Sequence, residues 1–308
     1  MRERDINLVM KILVTGSSGL VGTELVSALK DRGHQVIRLV RSENQLSDDT
    51  LLWDPEHREL NLEDFEGFDV VINLAGENIG SGRWTPAKKK KIQDSRVLGT
   101  HMLSELLARL SSPPKLLINA SAIGYYGNRE DELLTESSSP GEGFLAEVCK
   151  KWEEATLPAS EKGIRVVLLR IGVVLSKAGG VLGKMLLPFK LGLGGVIGSG
   201  KQYFSWIAID DLVGIILHVI SNDSVEGPVN SVAPNPVTNR EFTKTFGKVL
   251  GRPTFFPMPA VIARLAMGEM ADETALSSTR VVPEKLESTD YTFLYPDLES
   301  ALKHVLEK

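Results

Sequence analysis

The sequence predicts an α/β protein built on a doubly wound parallel sheet, with a smaller C-terminal lobe. Two observations support this fold class. A β-branched run from Lys11 to Thr15 leads through three glycines, Gly16, Gly19 and Gly22, into an amphipathic segment. Strand-like and helix-like segments then alternate at least four times before residue 170. Such alternation is typical of parallel sheets covered on both faces, because each parallel connection crosses over through a helix.

The three glycines have separate physical roles in a dinucleotide-binding turn. Gly16 allows a tight turn that a Cβ would obstruct, and Gly19 lets the backbone approach a pyrophosphate. Gly22 lets the following helix pack closely against the strand. Free N–H groups and the positive end of the helix dipole then face the ligand. We therefore predict a Rossmann-type cofactor site with contacts at Gly16, Ser18, Gly19, Leu20, Val21 and Gly22; the alternative is an ordinary strand-to-helix turn.

Composition narrows the class of protein. The chain has 308 residues, 42% hydrophobic and 24% charged, which is typical of a soluble globular protein. The net charge of −5 argues against nucleic acid or an anionic membrane as the main partner. No apolar run is long enough to span a bilayer, and Cys149 is the only cysteine. We expect a cytoplasmic protein with a small-molecule substrate, no metal, and a homodimer as the candidate assembly.

The regular alternation of strand and helix signals ends after residue 170. Residues 179–200 are rich in glycine, and the later strand and helix signals are fewer and scattered. We therefore divide the chain into a dinucleotide-binding domain over 10–170 and a smaller substrate lobe over 171–308, interleaved with the first. Residues 1–9 are interpreted as a disordered extension or as the result of an upstream start site, since Met10 directly precedes the first strand.

The remaining elements follow from local signals. Thr85 precedes Pro86 at a helix start, and Thr238 with Glu241 forms a capping box. Strands are predicted at 35–40, 69–74, 115–121, 165–169 and 228–232, with a small hairpin at 53–62. Helices are predicted at 23–32, 86–110, 144–161, 210–220 and 238–251, with another after residue 297. The segment 124–143 is interpreted as a long functional loop.

Arg41 follows the second predicted strand, 19 residues after Gly22. An acidic residue at this place would hold the ribose 2′-hydroxyl of NAD, whereas an arginine suits the 2′-phosphate of NADP. Arg38 is a second candidate for the same role. The alternative is a solvated arginine at a strand end.

The ends of two later strands carry small residues. Leu74, Ala75 and Gly76 follow one strand, and Ala120 and Ser121 end another. Ligands of open parallel sheets bind outside these carboxyl ends, where small residues let a ribose or nicotinamide lie against the backbone. The Ser121 hydroxyl could polarise a substrate oxygen, or it could simply cap a turn.

The stretch from residue 198 to 207 combines glycines, one cation, an amide and aromatic side chains. Lys201, Gln202 and Trp206 are its candidates for contacts with a polar substrate. A surface loop followed by a buried strand is the alternative. The four lysines at 88–91 are interpreted as a solvated helix face.

Several strings resemble the extended short-chain dehydrogenase/reductases, and within them the atypical subgroup called "epimerase family protein". The resemblance covers the chain from Met10 to near its end. It rests on the glycine turn, 73–76, 124–127, 170–175, 186–195, 197–200 and 206–211. It implies an NADP-dependent oxidoreductase or epimerase with Ser121 in the active site, and it adds Arg170 to the cofactor contacts.

The chain departs from this superfamily at one place. The superfamily uses a Tyr-x-x-x-Lys helix for proton transfer, and the equivalent helix here begins near Phe144. It has no tyrosine four residues before a lysine, and Leu145 with Cys149, or Phe144 with Val148, takes the place of the pair. Losing a positioned general acid costs about 10²–10⁴ in rate. We predict Tyr125, four residues after Ser121, as the substitute donor.

Two functions therefore remain open at this stage. The first is an NADP-binding oxidoreductase or epimerase-like protein that acts on a small polar substrate. The second is a weakly catalytic or non-catalytic NADP-binding protein that senses redox state. A scaffold without cofactor is a third reading, which the intact glycine turn disfavours.

Overall fold

The computed structural model describes residues 9–53 and 61–307. Residues 1–8, most of the predicted extension, and most of the predicted hairpin lie outside these ranges. The strands are β1 (Lys11–Thr15), β2 (Gln35–Val40), β3 (Thr50–Leu52), β4 (Val70–Asn73), β5 (Leu116–Ala122), β6 (Leu133–Leu134), β7 (Arg165–Ile171), β8 (Val173–Leu175), β9 (Tyr203–Phe204), β10 (Trp206–Ala208), β11 (Gly227–Ser231), β12 (Val237–Thr238) and β13 (Arg280–Val281). The α-helices are α1 (Leu20–Asp31), α2 (Pro86–Arg109), α3 (Phe144–Glu154), α4 (Leu157–Glu161), α5 (Gly180–Lys190), α6 (Ile209–Ser221), α7 (Asn239–Leu250), α8 (Ala260–Met267), α9 (Glu284–Ser288) and α10 (Leu298–Glu307).

Within the described residues, seven strands form one parallel sheet in the order β11-β7-β5-β4-β1-β2-β3. The chain builds outward from β1 to β3, then crosses back to β4 and builds the other side. The reversal lies between β1 and β4, which is where open α/β sheets bind ligands. The doubly wound parallel sheet predicted from the sequence is therefore confirmed.

The sheet is buried on both faces because successive side chains alternate between them. Ile12 and Val14 of β1 belong to a core that includes α1 and α6, whereas Leu13 belongs to a second core that includes α2. All three side chains are fully buried. This explains the continuous apolar runs that predicted the strands.

A polar cluster ties together the carboxyl ends of the central strands. Thr15 donates to Asn73 (2.6 Å), and the Asn73 amide donates to Asn119 (2.6 Å) and Thr100 (2.9 Å). These side chains are buried, so the hydrogen bonds among them replace the hydrogen bonds to water that they lose on folding. The cluster fixes β1, β4 and β5 against α2 beside the predicted site.

One predicted helix needs correction, and several elements, among them β3 and α5, were not predicted. A short strand, β3, pairs in parallel with β2 at 50–52, just before the predicted hairpin. The single helix predicted at 144–161 is divided into α3 and α4, because Pro158 cannot continue a helix past the preceding turn. The glycine-rich stretch at 179–200 contains α5, with Pro188 in its last turn.

The region after residue 171 is interleaved with the sheet domain. β11 returns to pair with β7 in the main sheet, while β13 pairs with β6 from the long loop. β8 pairs with β10, and β9 pairs with β12, to form two further small sheets. Among the described helices, none is both long and apolar enough to cross a membrane.

Candidate functional site

The glycine turn after β1 is held against the end of β4. Gly16 has a φ of +66°, and a Cβ added there would lie 2.7 Å from the backbone of Leu74. A Cβ on Gly22 would lie 2.3 Å from the Gly16 carbonyl oxygen. Only glycine fits at these two positions, so the structure brings Gly16, Leu74 and Ala75 together at one edge of the sheet.

The start of α1 is open to a ligand. The helix begins at Leu20, and Gly19 provides no side-chain cap for its first amides. Ser18 and Gly19 are exposed, while Leu20 and Val21 are half-buried. First-turn amides without an intrahelical partner, together with the helix dipole, attract an anion. The turn therefore fits a pyrophosphate, which needs close backbone approach and these donors.

The two arginines of β2 and its end differ in their partners. Arg38 donates to Asp49 (2.6 Å) and to Ser47 (3.2 Å). Hydrogen bonds to Asp49 from Arg38, Lys30 and Ser47 hold the pKa of that carboxyl far below its usual range. Arg41 is exposed and forms no ion pair with any described residue. Arg41 is thus the arginine whose guanidinium is available to a phosphate.

Arg96 of α2 reaches the end of β4, where sequence reasoning did not place it. A Cβ on Gly76 would lie 3.1 Å from its guanidinium carbon. One terminal nitrogen donates to the carbonyl oxygens of Glu77 (3.0 Å) and Ile92 (3.1 Å). The other terminal nitrogen, Nη2, has no hydrogen-bond partner among the described residues. Arg96 therefore places a cation at the carboxyl end of β4.

A buried ion pair organises the ends of β5 and β7. Arg170 donates to both carboxylate oxygens of Glu153, at 2.9 and 2.8 Å, and Ser121 donates to the same carboxylate at 2.7 Å. Burial alone would lower the pKa of Arg170, but the Glu153 carboxylate outweighs it and raises that pKa. The side chains of Arg170 and Glu153 are only 4% and 9% exposed, so the pair is shielded from solvent.

This arrangement changes the expectations for Ser121 and Arg170. The single hydroxyl proton of Ser121 is committed to Glu153, so Ser121 can accept a hydrogen bond from a ligand but cannot donate one. The guanidinium of Arg170 is engaged by Glu153 and by the Tyr126 hydroxyl (3.0 Å). Ala120 is buried inside β5, one residue before Ser121.

The neighbouring tyrosines have different environments. The Tyr126 hydroxyl bonds to Asn230 (2.6 Å) and to the Thr135 carbonyl (3.0 Å), and burial raises its pKa to about 12. The Tyr125 ring lies on the Arg170 guanidinium, 3.5 Å from its carbon, and the side chain is half-buried. No described residue bonds to the Tyr125 hydroxyl. Of the two phenols, only that of Tyr125 is available.

The helix that would carry a Tyr-x-x-x-Lys pair is packed closely at the matching positions. A Cβ on Gly124 would lie 3.3 Å from Leu145 and 3.7 Å from the Cys149 sulfur. Burial and the nearby Glu153 charge raise the pKa of the Cys149 thiol to about 12. Cys149 is therefore a packing residue with an inert thiol.

The three predicted substrate contacts are separated in the structure. Lys201 is exposed. Gln202 donates to the carbonyl oxygens of Ile197 and Ala275, both at 3.0 Å, which ties two loops together. Trp206 is fully buried in the main core. Lys201 alone of the three presents an unengaged polar group at the surface.

Contacts of the later lobe close over the sheet edge. Lys184 of α5 donates to the Gly80 carbonyl (2.5 Å), and Lys89 pairs with Glu269 (2.7 Å). The Glu273 carboxylate accepts hydrogen bonds from the first two amides of α3, at 3.1 and 3.0 Å. Lys89, which was expected to face solvent, thus forms an ion pair that joins α2 to the later lobe.

Sequence reasoning missed Arg96 and Glu153, although a signal exists. Arg96 lies four residues after buried Ile92 and four before buried Thr100. Glu153 lies four residues after buried Cys149. A charged residue on the apolar stripe of a helix needs a partner or a ligand, because burying an unpaired charge is costly.

These features define a Rossmann-class α/β protein with a preformed anion-binding turn and a polar cluster beside it. The sequence pattern of the NAD-dependent epimerase/dehydratase family matches residues 12–232. The chain therefore belongs to that family. Residues 258–305 match a second pattern, described as a domain of unknown function, DUF1731.

Relatives cover nearly the whole chain. An epimerase family protein of Mycobacterium tuberculosis is 44% identical over 291 residues, which are 94% of this chain and 96% of that protein. The crystal structure of human epimerase family protein SDR39U1 (isoform 2) with NADPH is 36% identical, with a TM-score of 0.88 over 97% of this chain and 99% of the human one. A nucleoside-diphosphate sugar epimerase structure from Corynebacterium glutamicum is 40% identical, with a TM-score of 0.81 over 97% of this chain and 58% of that one. The resemblance to the epimerase family proteins is thus confirmed.

Proposed function

We propose that this protein binds NADP(H) and acts as an oxidoreductase or epimerase on a small polar substrate. The observation that carries the proposal is the uncapped glycine turn, where Gly16 and Gly22 leave room that a Cβ would fill. The NADPH in the human relative's structure supports the choice of cofactor.

The orientation of the cofactor follows from the strand order. Arg41 follows β2, so the adenosine half with its 2′-phosphate belongs on that side of the glycine turn. The nicotinamide half then lies toward β4 and β5, where Gly76 leaves the backbone accessible and the free Nη2 of Arg96 can donate to ribose or amide oxygens.

The bound nicotinamide would supply the hydride donor or acceptor. Tyr125 would hold the proton, because its hydroxyl is unengaged while that of Tyr126 is not. The Arg170 guanidinium carbon lies 3.5 Å from the centroid of the Tyr125 ring, and this cation–π contact would hold the phenol in position. Ser121 would accept a hydrogen bond from the substrate, and Lys201 would attract an oxygenated or anionic one.

Cofactor titration tests this proposal. A charge-assisted hydrogen bond to the 2′-phosphate contributes about 1.5–3 kcal/mol, so we expect wild type to prefer NADPH over NADH by roughly 10- to 150-fold. Arg41→Ala should abolish that preference. Arg38→Ala is the matched control and should keep it, because Arg38 is engaged by Asp49. Equal affinities in wild type would refute the NADP assignment.

A non-catalytic redox sensor is the second candidate. The mutual hydrogen bonds of Ser121, Glu153 and Arg170 favour it, since they leave few polar groups for chemistry. NADPH oxidation with aldehydes, ketones, hydroxy acids and nucleotide sugars separates the two candidates. Turnover that falls about 10²–10⁴-fold in Tyr125→Phe supports the enzyme. Tight NADPH binding without turnover of any of these compounds supports the sensor.

A further inference from the structure

The later lobe carries an extensive apolar surface. Six large side chains on and beside α5 and α8 are 59–83% exposed, namely Leu187, Leu191, Phe255, Phe256, Val261 and Leu265. We call this surface the apolar face. Scattered exposed leucines are ordinary in proteins, whereas clustered ones mark an interaction site.

The apolar face is continuous because its two sequence segments run side by side. Met258 exchanges backbone hydrogen bonds with Val196 (2.8 Å) and Gly198 (2.9 Å). A Cβ on Gly192, next to Leu191, would lie 3.8 Å from Pro253. A Cβ on Gly195 would meet the Phe256 carbonyl oxygen. The end of α5 is thereby placed beside the phenylalanines that lead into α8.

The two segments that form the apolar face carry only basic charges. The segments 180–193 and 251–268 contain Lys184, Lys190, Arg252 and Arg264 and no acidic residue, although the chain as a whole has a net charge of −5. Arg264 pairs with Asp272 (2.9 Å) from the following segment. Lys190 and Arg252 are exposed and form no ion pair within the described part of the chain. The apolar face therefore has a basic rim.

This combination favours one occupant. A second copy of the chain would bring the same cations against each other across a two-fold axis, which opposes self-association. A small apolar ligand needs a concave pocket, whereas these side chains are mostly exposed. A bilayer that contains anionic lipid provides both an apolar interior and a negative surface.

We propose that the apolar face is a peripheral membrane-binding surface, in which the Phe255, Phe256 and Leu265 side chains enter the headgroup boundary of an anionic bilayer. Lys190 and Arg252 then lie at the level of the lipid phosphates. This inference is independent of the proposed enzyme function. It reverses the expectation drawn from net charge, because a membrane senses the charge of the facing surface rather than of the whole chain.

Flotation of the full chain with vesicles tests the proposal. Wild type should float with phosphatidylcholine vesicles containing about one-third phosphatidylglycerol, and much less with pure phosphatidylcholine. The double variant Phe255→Ser/Phe256→Ser should bind the anionic vesicles about tenfold or more weakly. Lys190→Gln/Arg252→Gln should weaken binding about 25-fold, at about fivefold per cation.

Matched controls come from equally exposed residues elsewhere. Leu294 is 66% exposed, against 65% for Leu265, so Leu294→Ser should leave binding unchanged while Leu265→Ser weakens it. Lys150→Gln/Lys162→Gln controls for the loss of two exposed cations. All variants should melt as wild type does and keep its NADPH affinity.

Three results would overturn the assignment. These are no flotation of wild type at low salt, equal flotation with both vesicle compositions, or flotation that the Phe255/Phe256 variant retains in full. A wild-type dimer that this variant converts to a monomer, without vesicle binding, would assign the apolar face to a second copy instead.

Discussion

The two halves of the sheet's carboxyl edge differ in whether their polar groups already have hydrogen-bond partners within the protein. On the β1–β2 side, the first-turn backbone amides of α1 have no side-chain cap, and the exposed Arg41 guanidinium forms no hydrogen bond or ion pair with a described residue. On the β5–β7 side, Ser121, Glu153 and Arg170 satisfy one another in a buried cluster. The first half is prepared for a ligand, and the second is already complete.

This difference separates binding from catalysis. The uncapped amides of the open half form their hydrogen bonds only when an anion binds. The sequence must therefore keep that space free of side chains. A complete half gains its free energy on folding, and a substrate can add little to it. The comparison predicts that variants of the open half impair cofactor binding, whereas variants of the complete half chiefly impair stability.

The largest expected effect, on stability and cofactor binding together, is that of Gly16→Ala. A left-handed φ costs a non-glycine residue about 1–2 kcal/mol, and the clash with Leu74 adds about 1–3 kcal/mol. We expect the free energy of unfolding to fall and NADPH affinity to be largely lost. Gly33→Ala is the control, because its φ of +80° is similar but nothing lies within 4 Å of the added Cβ. It should cost about 1–2 kcal/mol and leave NADPH binding intact. Isothermal titration and urea unfolding measure both quantities.

Glu153→Gln should be next in size. It leaves the buried Arg170 without its counter-charge, which costs about 3–5 kcal/mol of stability. NADPH affinity at low temperature should stay within a few-fold of wild type. Lys90→Gln breaks an exposed ion pair with Asp94 and should shift the urea midpoint far less. An unchanged urea midpoint in Glu153→Gln would contradict the conclusion that Ser121, Glu153 and Arg170 stabilise the fold by satisfying one another.

Variants of Tyr125 and Tyr126 test which of these side chains belongs to the buried cluster around Arg170. Tyr126→Phe removes a buried hydroxyl and leaves Asn230 and Arg170 each short of a hydrogen bond, which costs about 1–3 kcal/mol. Tyr125→Phe removes a hydroxyl with no described partner and should change stability by less than about 0.5 kcal/mol. Urea unfolding of both variants decides the point. Equal destabilisation would show that Tyr125 also belongs to the structural cluster.

The smallest effect concerns a helix cap remote from both halves. Hydrogen bonds from the backbone and side chain of Thr238 hold the pKa of Glu241 below its ordinary value of 4.5. The stability from this interaction is therefore present above that value and is lost as the pH falls through the folded-state pKa. Glu241→Gln should cost about 0.5–1 kcal/mol near pH 7. The difference from wild type should shrink progressively as the pH is lowered below 4.5, which urea unfolding at a series of pH values would check.

Local signals predicted most of the elements. The helix start at Thr85–Pro86 and the capping box at Thr238 are confirmed, because a cap depends on residues three positions apart. β3 was missed because a three-residue edge strand is defined by its pairing with β2 rather than by its own pattern. The break between α3 and α4 was missed although Pro158 signals it.

The candidate site was only partly predictable for the same reason. Arg41 and the glycine turn could be recognised from spacing along the chain. The partners of Ser121 and Arg170 could not, because Glu153 lies 32 and 17 residues away on another element. Trp206 looked like a pocket residue next to Lys201, but its side chain turns into the core.

The sequence by itself determined the parallel sheet, the glycine turn after β1 and the family, since each depends on order and spacing along one short stretch. Only the tertiary structure decided which polar groups are already satisfied, which arginine is free and which apolar side chains are exposed. Those properties depend on neighbours that are distant in sequence. A side chain exchanges its contacts with water for hydrogen bonds and apolar contacts within the protein only when those neighbours come together.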